Sequence, residues 1–241
     1  MRLILAILLL AGSAQAQVAP SERVIPRSTL PGIGVTDRRV PVDTRAMPWA
    51  ALGRVQTELG GRCTGVLIAP DRVLTAAHCL VGRGGQMVQP GSVHFLQGFS
   101  RGDYTGHARV AAFSLGAGWD AARRGPVGAD WAVLRLSPRL AGPTVPLWQG
   151  DLPAGAAVML GGYQQDRSEV LLADTRCTVL GRARDTAGAS LVAHDCTATR
   201  GASGAPLLLV LPDGRFAVAG VSSVMELGAA RGFAVPADAI R

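Results

Sequence analysis

Short apolar runs separated by turn residues extend along most of this chain. The turns contain residue pairs that favour chain reversal, such as Pro70-Asp71, Pro90-Gly91 and Asp213-Gly214. Runs of this kind with almost no helical period predict β-strands, and their spacing indicates an all-β sandwich or barrel. The predicted strands cover residues 49–55, 64–68, 72–75, 92–96, 108–113 and 131–136, and then 156–160, 170–180, 191–193, 205–210, 216–221 and 232–235.

Two regions lie outside this pattern of strands. Residues 138–155 are rich in proline and glycine, and we predict that they link two barrels of about equal size. Residues 236–241 follow the last predicted strand and leave room for a short C-terminal helical turn. The predicted fold class is therefore all-β, with very little helix.

The N-terminus has the features of an export signal. Met1 and Arg2 give a positive start, residues 3–11 are apolar, and Ala14-Gln15-Ala16 matches a small-x-small cleavage site. We predict a signal peptide over residues 1–16. Residues 17–39 are rich in proline, glycine and charge without a period, and we predict a propeptide or leader there. The folded domain is then expected over residues 40–241.

The charge of the chain says little about a partner. The formal net charge is +7, and all 24 of its Lys and Arg residues are arginines. These arginines are scattered, with no run longer than a pair, so we expect no nucleic-acid partner. Apart from the signal peptide, no apolar stretch approaches a membrane-spanning length, so no stable membrane insertion is expected after cleavage. We predict a secreted or periplasmic protein of a bacterium.

Four cysteines allow three pairings. Cys63 and Cys79 are close in sequence, and so are Cys177 and Cys196, which favours two local disulfides. The chain has no C-x-x-C spacing of the kind that holds zinc. His94, His107 and His194 lie in no motif, so we expect surface or strand histidines there, and no metal site.

Three short motifs follow one another with the residue types of nucleophilic catalysis. They are TAAHC at residues 75–79, DWAVL at residues 130–134 and GASGAP at residues 201–206. A serine hydroxyl becomes a good nucleophile when an imidazole accepts its proton, and a carboxylate on the other ring nitrogen fixes the tautomer. Ser203, His78 and Asp130 would supply these three groups.

The order and spacing of these motifs resemble the trypsin-like serine proteases of the chymotrypsin fold, from about Pro48 to Pro236. The resemblance implies two packed six-stranded antiparallel β-barrels with the catalytic triad His78, Asp130 and Ser203 in the cleft between them. It implies an oxyanion hole made by the backbone N–H groups of Gly201 and Ser203, and it supports the Cys63–Cys79 bridge. No cofactor is expected.

The chain departs from the digestive branch of that family. Those enzymes insert a new N-terminus next to an aspartate before the serine, but this chain has Ala202 there and contains no Ile-Val-Gly-Gly. Residues 37–43 and 48–53, together with Cys196 seven residues before the serine, look like the bacterial glutamyl endopeptidase branch. Its members are secreted with a short propeptide, so we expect processing near Arg39 that exposes Val40.

The resemblance also implies which residues wall the primary pocket for the substrate side chain. Thr197 stands where a trypsin has its aspartate, and Ser222 stands where a glutamyl endopeptidase usually has a histidine. Met225 stands where many members have glycine. We expect a pocket for small or medium residues, with acidic residues as the alternative. The predicted pocket residues are Thr197, Ala198, Arg200, Ser222, Ser223 and Met225, of which Ser223 would also support the triad carboxylate and Arg200 would place positive charge at the rim.

The sequence therefore predicts a secreted serine endopeptidase that acts on polypeptides as a monomer through an acyl-enzyme. The alternative is a catalytically inactive protein of the same fold that serves as a binding or scaffold module.

Overall fold

A computed structural model describes residues 25–241 of the chain. The predicted signal peptide and residues 17–24 of the predicted leader lie outside the described residues. Within residues 25–241 the helical segments are short 3-10 turns, and the last of them, Ala237–Ala239, confirms the predicted C-terminal turn. In the same range no helix has the length and apolar character needed to cross a membrane.

The first half of the domain is a closed six-stranded antiparallel barrel. A two-residue strand, β1 (Val40–Pro41), precedes it in the chain. The strands of the barrel pair in the order β2-β3-β4-β7-β6-β5. Their side chains alternate between core and surface, as in β5, where Val93, Phe95 and Gln97 are buried. The strands are β2 (Leu52–Thr57), β3 (Arg62–Ala69), β4 (Arg72–Thr75), β5 (Val93–Gln97), β6 (Gly106–Leu115) and β7 (Ala132–Ser137).

The second half is another six-stranded antiparallel barrel, which confirms the predicted two-barrel architecture. Its strands pair in the order β9-β10-β13-β12-β11-β8, and β8 pairs with β9 to close the ring. Strand β1 adds to the outside of this ring by pairing with β9, with Val40 opposite Ala173. The strands are β8 (Ala157–Gln164), β9 (Arg167–Arg184), β10 (Ser190–His194), β11 (Pro206–Val210), β12 (Phe216–Met225) and β13 (Gly232–Pro236).

Each barrel has its own apolar core, and a third cluster joins them. This third cluster takes buried residues from both halves, among them Leu52 and Val66 of the first barrel and Val221 and Val235 of the second. The connection between β7 and β8 contacts both barrels as well. Its Val145 N–H donates to Leu67, and Trp148 N–H donates to Val218. The linker thus fixes the two barrels against each other.

Both predicted disulfides are present. Cys63 of β3 is bonded to Cys79, and Cys177 of β9 is bonded to Cys196, the latter with a sequence separation of 19 residues. No free cysteine remains in residues 25–241. Each bridge closes a short loop, and a loop of this size contributes about 3 kcal/mol in the chain-entropy description.

Part of the predicted leader packs onto the second barrel. Leu30 and Ile33 are buried, and between them Gly32 accepts a hydrogen bond from Ala198 N–H and donates one to the Glu226 carbonyl. The side chain of Arg38 forms an ion pair with Asp174, whose carboxylate has no solvent exposure, at 2.9 Å. Removal of this segment would leave a buried carboxylate without its cation, which is costly.

These contacts bear on where the chain is processed. We expect the exported protein to keep residues 30–39, with its first residue at or before Leu30. Leu30 and Ile33 are buried against the domain, and Arg38 neutralises Asp174. N-terminal sequencing of the protein recovered after export measures this directly. A first residue of Val40 would contradict the expectation and would support processing near Arg39 instead.

Candidate active site

His78 and Asp130 lie side by side at one end of the first barrel. His78 belongs to the 3-10 turn Ala77–Leu80 that follows β4, and Asp130 precedes β7. Because β4 and β7 are paired neighbours, the residues that flank them come together. The distance from His78 Nδ1 to Asp130 Oδ2 is 2.6 Å, and His78 N–H donates to Asp130 Oδ1 at 2.9 Å.

The Asp130 carboxylate is buried and surrounded by donors. Only 3% of the residue is exposed, and Ser223 Oγ donates a third hydrogen bond, to Oδ2. An ionised carboxylate only accepts hydrogen bonds, so His78 Nδ1 carries the proton and Nε2 is left as a base. Asp130 therefore orients the His78 imidazole through two hydrogen bonds, one to the ring and one to the backbone N–H of the same residue.

Ser203 lies in the turn between β10 and β11 and lines a cleft on the second barrel. Its carbonyl accepts a hydrogen bond from Thr64 N–H of the first barrel at 2.9 Å, and Gly204 N–H donates to Ser222 of β12 at 2.8 Å. Ser203 lines the cleft together with Ser223, which contacts Asp130. The turn that carries the hydroxyl is therefore tied to both barrels.

Gly201 and Ser203 each present a backbone N–H group in this turn. Arg200 accepts a hydrogen bond from Gln165 N–H at 2.7 Å, so the N–H of the same peptide, on Gly201, points the other way. Within the described residues neither Gly201 N–H nor Ser203 N–H donates a hydrogen bond. Gly201 has φ +94°, and a Cβ there would lie 2.2 Å from the Tyr163 carbonyl oxygen. Only glycine fits this turn.

Thr64 is the residue that connects the barrels at this point, and the sequence motifs do not include it. Its hydroxyl donates to the Gly201 carbonyl at 2.9 Å and accepts a hydrogen bond from Tyr163 N–H at 2.9 Å. Its carbonyl accepts from the Thr75 hydroxyl, three residues before His78. The only sequence signal for Thr64 is its place next to Cys63, beside the bridge to Cys79.

The predicted pocket residues divide into two groups. Arg200, Ser222, Ser223 and Met225 line the cleft. Thr197 and Ala198 are fully buried and lie outside the cleft lining, so these two predicted wall residues are placed behind it. The cleft also contains residues that the sequence reasoning missed: Pro31, Thr199, Val224 and Leu227.

The structure offers little for a metal ion near this cleft. In the part of the chain that is described, the side chains that come closest to forming a metal-binding cluster are Cys63, His78 and Cys79. Both sulfurs of this group are bonded to each other in the disulfide. His94 and His107 contact each other on the first barrel, with His94 Nδ1 2.8 Å from His107 Nε2. His194 is buried in the second barrel.

A two-barrel fold with an aspartate-bound histidine and a serine at the barrel boundary defines the class of chymotrypsin-fold peptidases. The model of the trypsin-like peptidase domain matches residues 63–217, and the chain belongs to this family. The match covers β3 through the start of β12 and includes all three motifs.

Two solved structures show the same fold at low sequence identity. A Glu endopeptidase superposes with a TM-score of 0.68 at 20% identity, over 85% of this chain and 93% of that chain. A thermostable serine protease, AL20, from an extremophilic microorganism superposes with a TM-score of 0.60 at 23% identity, over 78% and 91% of the two chains. None of the curated proteins compared with this chain matches it significantly.

His194 makes the stability of the domain depend on pH. Burial lowers its pKa to about 4, although the nearby Asp195 and Asp174 act in the opposite direction. In the unfolded chain this histidine is protonated below its ordinary pKa of about 6.5, whereas in the folded protein it is protonated only below about pH 4. The free energy of unfolding is therefore expected to fall as the pH is lowered from about 6.5 to 4.

The variant His194→Asn tests this, because its side-chain oxygen can still accept the hydrogen bond that Cys196 N–H donates to His194 Nδ1. Urea denaturation at several pH values should give a smaller loss of stability at low pH for the variant than for the wild type. Equal losses in the two proteins would show that His194 does not bind the proton responsible.

Proposed function

We propose that this protein is a serine endopeptidase in which Ser203 is the nucleophile, His78 the general base and acid, and Asp130 the carboxylate that orients His78. The observation that carries the proposal is the donor arrangement around Asp130, which leaves Nε2 of His78 free to accept a proton. A buried carboxylate that orients the ring of a partly exposed histidine is the arrangement that a catalytic base requires.

The reaction would proceed in two displacements. Ser203 Oγ attacks the carbonyl carbon of the peptide bond while His78 Nε2 takes the hydroxyl proton. His78 then gives this proton to the leaving nitrogen, the C–N bond breaks and an acyl-enzyme remains. A water molecule, deprotonated by His78, attacks the ester carbon, and the proton returns to Ser203 Oγ as the acid product leaves.

The negative charge on the carbonyl oxygen would be stabilised by the N–H groups of Gly201 and Ser203. Both are without acceptors in residues 25–241, and the Gly201 carbonyl is held on the other side of the chain by Thr64. A preorganised donor of this type contributes about 3–4 kcal/mol to transition-state stabilisation. These residues thus form the proposed oxyanion hole.

We expect the enzyme to work outside the cytoplasm. The predicted signal peptide would direct export, and the two disulfides require an oxidising compartment to persist. The proposed location is therefore the periplasm or the external medium, and the proposed partner is a polypeptide substrate. We propose a monomer that needs no metal or organic cofactor for this chemistry.

A fluorophosphonate probe tests the proposed nucleophile. The wild-type protein should be labelled covalently, and Ser203→Ala should lose the label together with peptide hydrolysis by a factor of about 10⁶ in kcat. Ser92→Ala is the control, because Ser92 lies in a surface turn and its hydroxyl bonds only to the Gln89 carbonyl. Absence of labelling in the wild type would favour the alternative of an inactive binding or scaffold protein.

The role of Thr64 gives a second prediction. Thr64→Val keeps the shape of the side chain but removes the hydroxyl that holds the Gly201 peptide. We expect the free energy of unfolding to fall by about 1–3 kcal/mol, because Tyr163 N–H becomes unpartnered. We also expect kcat to fall about tenfold. This effect is smaller than the factor of about 10² to 10³ for the loss of one oxyanion donor, because the variant keeps both N–H groups.

Thr57→Val is the matched control, because the Thr57 hydroxyl accepts a hydrogen bond from Gly61 in the β2–β3 hairpin. This variant should lose stability and keep the kcat of the wild type. If the two variants reduced kcat equally, the proposed function of Thr64 in holding the oxyanion turn would be wrong.

A further inference from the structure

The floor of the cleft is made by the side chain of Met225, the last residue of β12. Met225 pairs with Gly232 of β13, and it packs partly buried against the core of the second barrel. A Cβ on Gly232 would lie 2.4 Å from Met225 Sδ, and a Cβ on Gly32 would lie 2.6 Å from Met225 Cε. The thioether therefore fills the space that these two glycines leave open.

The backbones on both sides of this side chain are fixed. Gly32 is bonded to the carbonyl of Glu226 on one side and to Ala198 N–H on the other, and it has φ +75°. Gly232 is held in the sheet between β10 and β12, opposite His194 and Met225. Met225 is thus seated between two rigid main-chain segments, and a substrate side chain cannot displace it by moving either of them.

Two buried polar groups behind Met225 have no partner within the described residues. His194 is fully buried, and since its Nδ1 accepts from Cys196 N–H, its Nε2 carries the proton; this N–H donates to no group. Nε2 lies 2.9 Å from the same Cβ position of Gly232. The hydroxyl of Thr197, also fully buried, is the other unpartnered group.

We propose that Met225 is a plug that closes the primary pocket above these polar groups, so that the enzyme cleaves after small residues such as alanine. The proposal rests on the proposed function, because it concerns the substrate side chain next to the bond that Ser203 attacks. Ser203, Ser222 and Met225 line one cleft, so a side chain entering beside Ser203 meets the thioether. A long side chain has no room beyond this point.

The charges around the pocket agree with an uncharged substrate residue. Thr197 supplies no counter-ion for a lysine or arginine, and the carboxylates of Asp174 and Asp195 behind it are paired with Arg38. Arg200 also lies in the cleft lining. If the charge of Arg200 decided the specificity instead of Met225, the enzyme would strongly prefer glutamate or aspartate.

Removal of the plug should connect the cleft to the two polar groups. In Met225→Ala, a longer side chain could reach the Nε2–H of His194, and one that ends in a hydrogen-bond acceptor would gain most. Glutamine carries such an acceptor, whereas leucine does not. The variant is therefore expected to accept glutamine better than leucine, while the wild type rejects both.

A set of peptides that differ only at the residue before the cleaved bond tests this. The wild type should cleave after alanine with a kcat/KM about tenfold or more above that for leucine, glutamine or glutamate. Met225→Ala should raise kcat/KM for glutamine at least tenfold. Met225→Leu, which keeps a side chain of similar volume, is the control and should retain the wild-type preference.

The outcomes separate this inference from the proposed function. Labelling of Ser203 by a fluorophosphonate in all three proteins establishes that each is folded and active. With labelling present, a wild type that prefers leucine, glutamine or glutamate, or a Met225→Ala profile identical to that of the wild type, overturns the plug. Loss of labelling in the wild type overturns the proposed function itself.

Discussion

A set of hydrogen bonds crosses the boundary between the two barrels at the site, and Thr64 makes three of them. Its N–H, hydroxyl and carbonyl bond to Ser203, Gly201, Tyr163 and Thr75, which belong to three different parts of the chain. The barrels could slide against each other if only apolar contacts joined them, because such contacts are not directional. Directional bonds at a buried residue fix the position of the serine turn relative to the histidine.

Most buried polar groups elsewhere in the described residues also have partners, and five side-chain atoms are exceptions, two of them in the second barrel near the cleft. Asp130 and Asp174 are both buried acids, and each is bonded to a cationic or N–H donor on another segment. His194 Nε2 and Thr197 Oγ1 are left without partners. An unpartnered buried donor is costly, and each such group calls for an explanation. Their place behind the cleft floor is the physical basis for the specificity that we propose.

The N-terminal segment has a larger structural role than its composition indicates. Residues such as Pro31 and Gly32 are turn formers in sequence, yet in the fold one lines the cleft and the other supports its floor. Arg38, a member of a charged pair in a region without periodicity, neutralises a carboxylate in the second barrel. Segments of low hydrophobicity can therefore be essential when a folded partner offers buried charge.

The fold and the candidate triad could be predicted from the sequence because their signals are local. Strands appear as apolar runs, each disulfide joins cysteines close in sequence, and His78, Asp130 and Ser203 lie in short motifs whose order resembles one family. The sequence alone thus determined the two-barrel class and singled out the three residues of the candidate triad. Only the tertiary structure decided that Thr64 joins the barrels, that Thr197 lies behind the cleft and that Met225 forms its floor. These are contacts between segments far apart in the chain, and spacing along a sequence carries no information about which distant backbone a side chain will meet.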